Sequence, residues 1–436
     1  MNRSKQLALL LQILYVVFFV SMVCCFRAIS SISIGLILLA GLLKNKSDTG
    51  SWKIFHSNNR FLAACCLFYL VQLVVLLYPA NFHDSAKRLQ TQTAIFVVPL
   101  AICWSDYINV TIRRQLMKYF IWILFFFLFY CLLFALYKYL FLHAQTDVFF
   151  YHALVIPFNQ HAIQVSIVVL FGLVYLLELL QTGSFFHNRR VHLWLIFYFT
   201  GCLLLLSSKL VIAFLAACIA YYFFRLLKRN QPGRSRIFLW LLAALVMIGL
   251  VVSTQNRINK RFNEIVSGNI DLVRQDHFSP ATYFNGLQFR LLQWRFVNEI
   301  LNEHHAWLAG VSDNAQKFLN EKYISTNMYT GSANTATRGY LGYNTHDQFL
   351  QSLLQSGIPG LIFFLAICGA MIDLAIRRRN SELTIMVVLL IAYCFNESVF
   401  ETQYGIILFT FFPLFLYYGT DELLAGHTST GTARLP

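Results

Sequence analysis

Residues 119–142 read YFIWILFFFLFYCLLFALYKYLFL, and a single charge, Lys138, interrupts them near the end. A helix needs about 20 apolar residues to cross the roughly 30 Å hydrocarbon core of a bilayer, so a run of this length and purity reads as a membrane span. Runs of the same character recur on both sides of it. We read twelve, near 7–26, 28–43, 61–79, 90–104, 119–142, 162–180, 191–207, 210–227, 237–253, 358–376, 383–399 and 404–418. The second and fourth are short and the fourth holds Pro99, which suits tilted, kinked or partly interfacial helices. The first follows Arg3 and Lys5 and has no small-residue cleavage site, so it is expected to be a retained first span.

Composition agrees with this reading. Of 436 residues, 58% are hydrophobic and 12% charged, about half of the roughly 25% charge that covers a soluble domain. The formal charge is +15, from 34 Lys+Arg against 19 Asp+Glu, which in a soluble protein would point to nucleic acid. Threading the chain through twelve spans with the N-terminus inside gives the charge another meaning. Twenty basic residues fall on the side of both termini, five in the short loops opposite, and nine in one long hydrophilic segment. Such a contrast in short loops is an orientation code, and long loops do not count towards it.

The expected fold is an all-α polytopic membrane protein of about twelve transmembrane helices. It divides into an N-terminal transmembrane region, 1–253, of about nine spans, and a large, partly helical outer loop, 254–346. A C-terminal region, 347–419, of about three spans and an inner tail, 420–436, complete it. All ten cysteines lie inside apolar runs, so the sequence carries neither a disulfide framework nor zinc-like spacing.

Chemistry-bearing residues gather at the outer edge. Residues 285–302, NGLQFRLLQWRFVNEILN, have helical periodicity. Gln288, Arg295 and Glu299 share one stripe, while Leu287, Leu291, Trp294 and Leu301 lie roughly opposite and are expected to be the packed face. Arg290 sits within that apolar arc, where a cation is costly unless it meets an anion; a snorkelling arginine or a structural ion pair is the ordinary alternative. In NTHDQFLQSLLQSGIPG, Thr345 and Gln348 form a capping-box pattern, His346 takes the first helical position, Gly357 stops the helix and Pro359 starts the next element. The helix dipole then disfavours an imidazolium, leaving His346 able to take a proton from a hydroxyl, or simply to be a satisfied core histidine. Between spans seven and eight, Ser207, Ser208 and Lys209 make a short turn that suits either a phosphate or a snorkelling anchor. Glu397 and Glu401, four apart at the outer edge of the last spans, suggest a polar partner or a shared proton. Asn159 and His161 open the sixth span and can serve as interfacial caps.

Several of these stretches together resemble a known family. His346-Asp347-Gln348-Phe349-Leu350-Gln351, followed by Gly357-Ile358 and Gly360-Leu361, is similar to the stretch that closes the periplasmic loop of the bacterial O-antigen ligase and O-antigen polymerase superfamily. Arg290 with Trp294, then Trp307 to Val311 and Asp313 to Tyr323, resembles the upstream part of that loop. Ser207-Ser208-Lys209 resembles its Ser-x-Ser-Arg turn, and Glu401-Thr402-Gln403-Tyr404-Gly405 the start of its final span. The likeness covers roughly 155–418. Lys209 replaces the usual arginine, keeping the charge without the bidentate geometry; Asp347 replaces a common Asn, and Ala309 and Ser312 interrupt a run of small residues.

The resemblance implies a GT-C-like integral-membrane glycosyltransferase of the bacterial inner membrane, its site facing the periplasm and both termini cytoplasmic. Such an enzyme moves glycan from an undecaprenyl-diphosphate-linked donor to a hydroxyl of lipid A core or another glycan acceptor, with no metal and no cofactor. Its partners are those two substrates and membrane lipid, not nucleic acid. It implies His346 as the catalytic group, Arg290 and Lys209 as ligands of the donor diphosphate, and Ser207, Ser208, His161, Asp347, Glu401 and Glu397 as supporting residues. A repeat-unit polymerase of the same superfamily is the first alternative. A polysaccharide transporter or flippase is the second, although the sequence lacks the paired, broken spans of many transporters.

Overall fold

The computed structural model describes residues 3–50, 60–75, 82–105, 107–182, 184, 186–227, 270–279, 282–328 and 339–419. Every element among them is helical. Before the long loop come α1 (Arg3–Val23), α2 (Arg27–Thr49), α3 (Arg60–Val75), α4 (Phe82–Ser105), α5 (Val110–Phe141), α6 (Ala162–Thr182), α7 (Arg189–Leu206) and α8 (Lys209–Leu227). The loop holds α9 (Gly286–Glu303) and α10 (Ala315–Ser325), and α11 (Gln348–Arg378), α12 (Ser381–Cys394) and α13 (Gln403–Tyr418) follow it. Helices stand at eleven of the twelve expected spans. The ninth, 237–253, lies outside the described residues, as do 254–269 and 329–338 of the loop and the tail, 420–436. Among the described residues, α1, α2, α5, α6, α7 and α11 are long and apolar enough to cross a membrane, and α3, α12 and α13 are shorter apolar helices. The chain is a multi-pass membrane protein.

Two helices form the centre. α13 is buried without a break from Tyr404 to Leu416, and α6 from Val165 to Leu177, which is how a helix apolar around its whole circumference is accommodated. Phe411 packs on Phe18 of α1 with ring centroids 4.8 Å apart, and Phe412 on Phe171 of α6 at 4.4 Å. Outer helices are two-faced. α5 turns Phe120, Leu124 and Cys131 inward while Phe126 and Phe141 remain 61% and 70% exposed; bilayer, as apolar as these side chains, is the solvent for that face.

A second apolar core joins the loop to the membrane part. Phe289, Leu292, Phe296 and Ile300 of α9 and Leu319 and Tyr323 of α10 pack with Leu350 and Leu354 from the first half of α11. That half-helix ends at Gly357, whose φ of 64° and ψ of −161° interrupt α11 as the Gly-Ile-Pro sequence leads one to expect. The residues 307–311 lie across the break. Val311 N donates to Leu354 O and Ile358 N to Trp307 O, each at 2.8 Å, so the loop supplies partners that the helix loses there. Gly310 and Gly357 make the approach possible, since a Cβ on either would strike the opposing backbone.

Candidate active site

The start of α11, the turn between α12 and α13, the start of α6 and the flank of α9 converge at one end of the bundle. His346 stands just before α11 with φ at 47°, a conformation that non-glycine residues adopt at a cost and that clusters at functional sites. Its amide donates to Asn344 Oδ1 at 3.0 Å, and the rings of Phe289 and Tyr343 flank the imidazole. The expected capping box is not formed. Asp347 is the N-cap, accepting from the Phe349 and Leu350 amides at 2.8 and 3.1 Å, and His346 lies outside the helix. Thr345 and Gln348 turn inward instead: Thr345 Oγ1 reaches Gln351 Oε1 and Ser398 Oγ, and Gln348 Oε1 accepts from Phe400 N. A carboxylate is as good an N-cap as threonine or better, which releases Thr345 to tie α11 to the α12–α13 turn.

Glu397 is the partner of His346, its Oε2 lying 3.1 Å from Nδ1. Burial raises the Glu397 carboxyl, but the hydrogen bond to His346 and the fields of His346, His161 and Arg290 outweigh it and hold the group below the ordinary glutamate value. An ionised carboxylate only accepts, so Nδ1 carries the hydrogen of this contact and, in the neutral imidazole, Nε2 is the bare nitrogen. Glu401 is held by other residues than Glu397 is. It accepts from Gln355 Nε2 at 2.8 Å and from Gln351 Nε2 at 3.4 Å, so each carboxylate has its own polar partners.

Arg290 reaches the same turn. Its Nη2 donates to Asn396 O at 3.1 Å and its Nη1 to Gly286 O at 2.9 Å, while Nε is buried without a partner. Burial lowers its pKa against the opposing fields of Glu397 and Asp347. Asp347 is raised by burial, with the Leu350 and Phe349 amides and Arg290 opposing. The packed face of α9 differs from the expected one. Gln288, Phe289, Leu292, Gln293, Phe296, Val297, Ile300 and Leu301 are buried, whereas Leu287 and Trp294 are 38% and 52% exposed. The phenylalanines win the inner face because α10 and α11 offer them a core, and the inner glutamines find partners there: Gln288 in a capping box with Asn285, Gln293 with Tyr323.

His161 precedes α6, its Nδ1 buried and unpartnered, its ring 4.5 Å from that of His152. Burial lowers its pKa, Glu397 raises it and His346 lowers it. The Ser207–Lys209 turn joins the cluster less directly. Ser207 closes α7 with φ at 50° and spends its hydroxyl on the Leu204 and Leu205 carbonyls. Ser208 Oγ is buried without a partner and Lys209 is the first residue of α8, so the expected helix start is present. Tyr151 is the link: its amide donates to Leu205 O at 3.0 Å, and its ring lies 4.0 Å from that of His152, which stands beside His161. The structure thus brings His346, Glu397, Arg290, Asp347 and His161 together, with Lys209 approached through Tyr151 and Glu401 through Gln351.

Sequence reading missed Tyr151 and Ser398, gave Thr345 a cap's role and assigned Gln351 none. Tyr151 has no local signal, because its role rests on a backbone bond and a φ of 53°. Gln351 and Gln355 had one: a glutamine every four residues inside an otherwise apolar helix needs a buried partner.

The O-antigen ligase family model matches residues 193–365. That stretch contains Ser207, Ser208, Lys209, Arg290, His346 and Asp347 and ends before Glu397 and Glu401. The match supports the likeness to the O-antigen ligase and O-antigen polymerase superfamily. No curated protein gives a significant match.

Proposed function

We propose that this chain is an O-antigen ligase-type glycosyltransferase that moves glycan from undecaprenyl diphosphate to an acceptor hydroxyl, such as one on lipid A core, at the periplasmic face of the inner membrane. The observation that carries the proposal is the meeting of an imidazole and a guanidinium on one turn: His346 on Glu397 at 3.1 Å and Arg290 on Asn396 O at 3.1 Å. A base and a cation side by side are what transfer from a diphosphate requires.

The acceptor oxygen bonds to the anomeric carbon as its O–H bond breaks and the proton passes to His346 Nε2. The bond from the anomeric carbon to the diphosphate oxygen breaks, and undecaprenyl diphosphate leaves with the electron pair, its charge held by Arg290 and Lys209. Arg290 Nε and Ser208 Oγ, both buried and unpartnered, are donors available to phosphate oxygens. Glu397 fixes the tautomer and stabilises the imidazolium, as a carboxylate behind a catalytic histidine does. The outward assignment is supported by the opposite end of the bundle, where Arg113, Arg225 and Arg377 to Arg379 gather.

His346→Ala is expected to lower transfer by roughly 10²–10⁴-fold and Arg290→Ala by roughly 10²–10³-fold, in membranes holding lipid-linked donor. Full transfer by both variants would sink the assignment. Deletion of the gene separates ligase from polymerase: lipid-linked polymer accumulates when a ligase is lost, and single repeats reach the surface when a polymerase is lost.

A further inference from the structure

Helix α4 carries a polar face that the reaction above does not use. Ser85, Arg88 and Gln92 recur at three- and four-residue spacing, which keeps them within about 60° of one another around the helix. Ser85 and Gln92 are each 1% exposed, and neither Ser85 Oγ nor Gln92 Oε1 has a hydrogen-bond partner. Buried polar atoms are nearly always paired, so two orphans on one face beside an arginine mark a place that receives a polar group. At this end α4 packs against the turns Ser312–Asn314 and Val399–Glu401. Asp313 and Glu401, from those turns, are the carboxylates whose fields reach Arg88.

This face is joined to His346 by a short chain of contacts. Gln351 donates to Glu401 and accepts from Thr345 Oγ1 at 2.8 Å, and Thr345 is the residue before His346. The two sides of His346 differ in charge. Towards Tyr151 lie Arg290 and the Lys209 turn, suited to a diphosphate. Towards α4, among the described residues, Arg88 faces Glu401 and Asp313; carboxylates disfavour a diphosphate and suit neutral hydroxyls, which donate to carboxylates and accept from guanidinium and amide groups.

The geometry points to the inner face of α4 as the subsite for the acceptor glycan, where Ser85 and Gln92 hydrogen-bond ring hydroxyls of a neutral sugar and Arg88, Glu401 and Asp313 orient it. The word acceptor rests on the glycan-transfer reading; the sugar chemistry rests on the face itself.

The test uses the purified full chain in detergent with the variants Ser85→Ala and Gln92→Met. Each is titrated with deacylated core oligosaccharide from the host strain's lipopolysaccharide and, separately, with inorganic diphosphate. Initial rates are then measured with acceptor and lipid-linked donor varied in turn. Neither atom has a partner to lose, so both variants are expected to melt at or above the wild-type temperature. Oligosaccharide affinity should fall, and acceptor KM rise, by about tenfold per lost hydrogen bond, with diphosphate binding and donor KM unchanged. Unaltered oligosaccharide affinity in both variants, or no binding by the wild type, overturns the subsite even where transfer itself is intact. A change confined to donor KM overturns the acceptor assignment. A wild-type chain that binds the oligosaccharide in a Gln92-dependent way but transfers no glycan upholds the sugar site and removes the transfer reading.

Discussion

A carboxylate 3.1 Å from one imidazole nitrogen decides which nitrogen remains to accept a proton. Glu397→Gln keeps the shape of the contact but lets the amide donate as readily as accept, so the tautomer is no longer fixed. Transfer is expected to fall by roughly 10²-fold or more at neutral pH. The group also leaves a mark on stability. Its folded pKa is depressed, so its contribution is present above the ordinary carboxylate pKa and is lost as pH falls through the lower folded value. Thermal unfolding from pH 7 down to about pH 3 should therefore show the gap between wild type and Glu397→Gln closing at the acid end. A gap of constant width would detach Glu397 from His346. At this scale the sequence offered the participants without the pairing. His346, Arg290 and Glu397 stand out as polar residues at an apolar edge, but the His346–Glu397 contact spans 51 residues. Arg88 was harder to see, because a charge beside a span reads first as a topology signal.

Among the elements, α11 was both the most legible and the most misleading. Its break at Gly357 follows from glycine and proline in one short stretch, yet its beginning was misplaced, because Thr345 and Gln348 match a capping box that Asp347 pre-empts. Local patterns give the candidates for a cap; the tertiary partners of the losing side chains choose between them. The same holds for α9, whose inner face is set by what α10 and α11 present and not by which side carries more leucine. The break itself is tightly determined. At Gly357 the backbone occupies a region open essentially to glycine, and an added Cβ meets the Leu308 carbonyl. Gly357→Ala is expected to cost at least about 1–3 kcal/mol from backbone strain alone. The measurement is the melting temperature of the purified protein, and an unchanged value would show the corner to be pliable.

Across the whole molecule, polar chemistry is concentrated at two ends with an aromatic core between. At the end away from His346, Arg113 of α5 pairs with Glu382 of α12 and donates to Gly419 O after α13 at 3.1 Å, while Arg225 of α8 meets Glu178 of α6 at 3.1 Å. Glu382 is 1% exposed, so removing its partner strands a charge. Arg113→Met is expected to destabilise the protein by about 3–5 kcal/mol, and adding Glu382→Leu to restore much of the loss. Unfolding in detergent checks both, and transfer per folded molecule should be unaffected because the substitutions lie at the far end. The span pattern made this architecture readable; which helices sit in the centre was not, because α5, with Phe126 and Phe141 exposed, has as apolar a span as the buried α6. One feature of the loop fixes how α11 bends. A glycine beside a proline in a long helix invites the role of a pivot. Here the residues 307–311 bridge both halves of α11 with a backbone bond on each side of the break, as a splint spans a fracture. The bend is thereby pinned on both sides, so under the glycan-transfer proposal α11 offers its substrates a fixed sill and not a hinge.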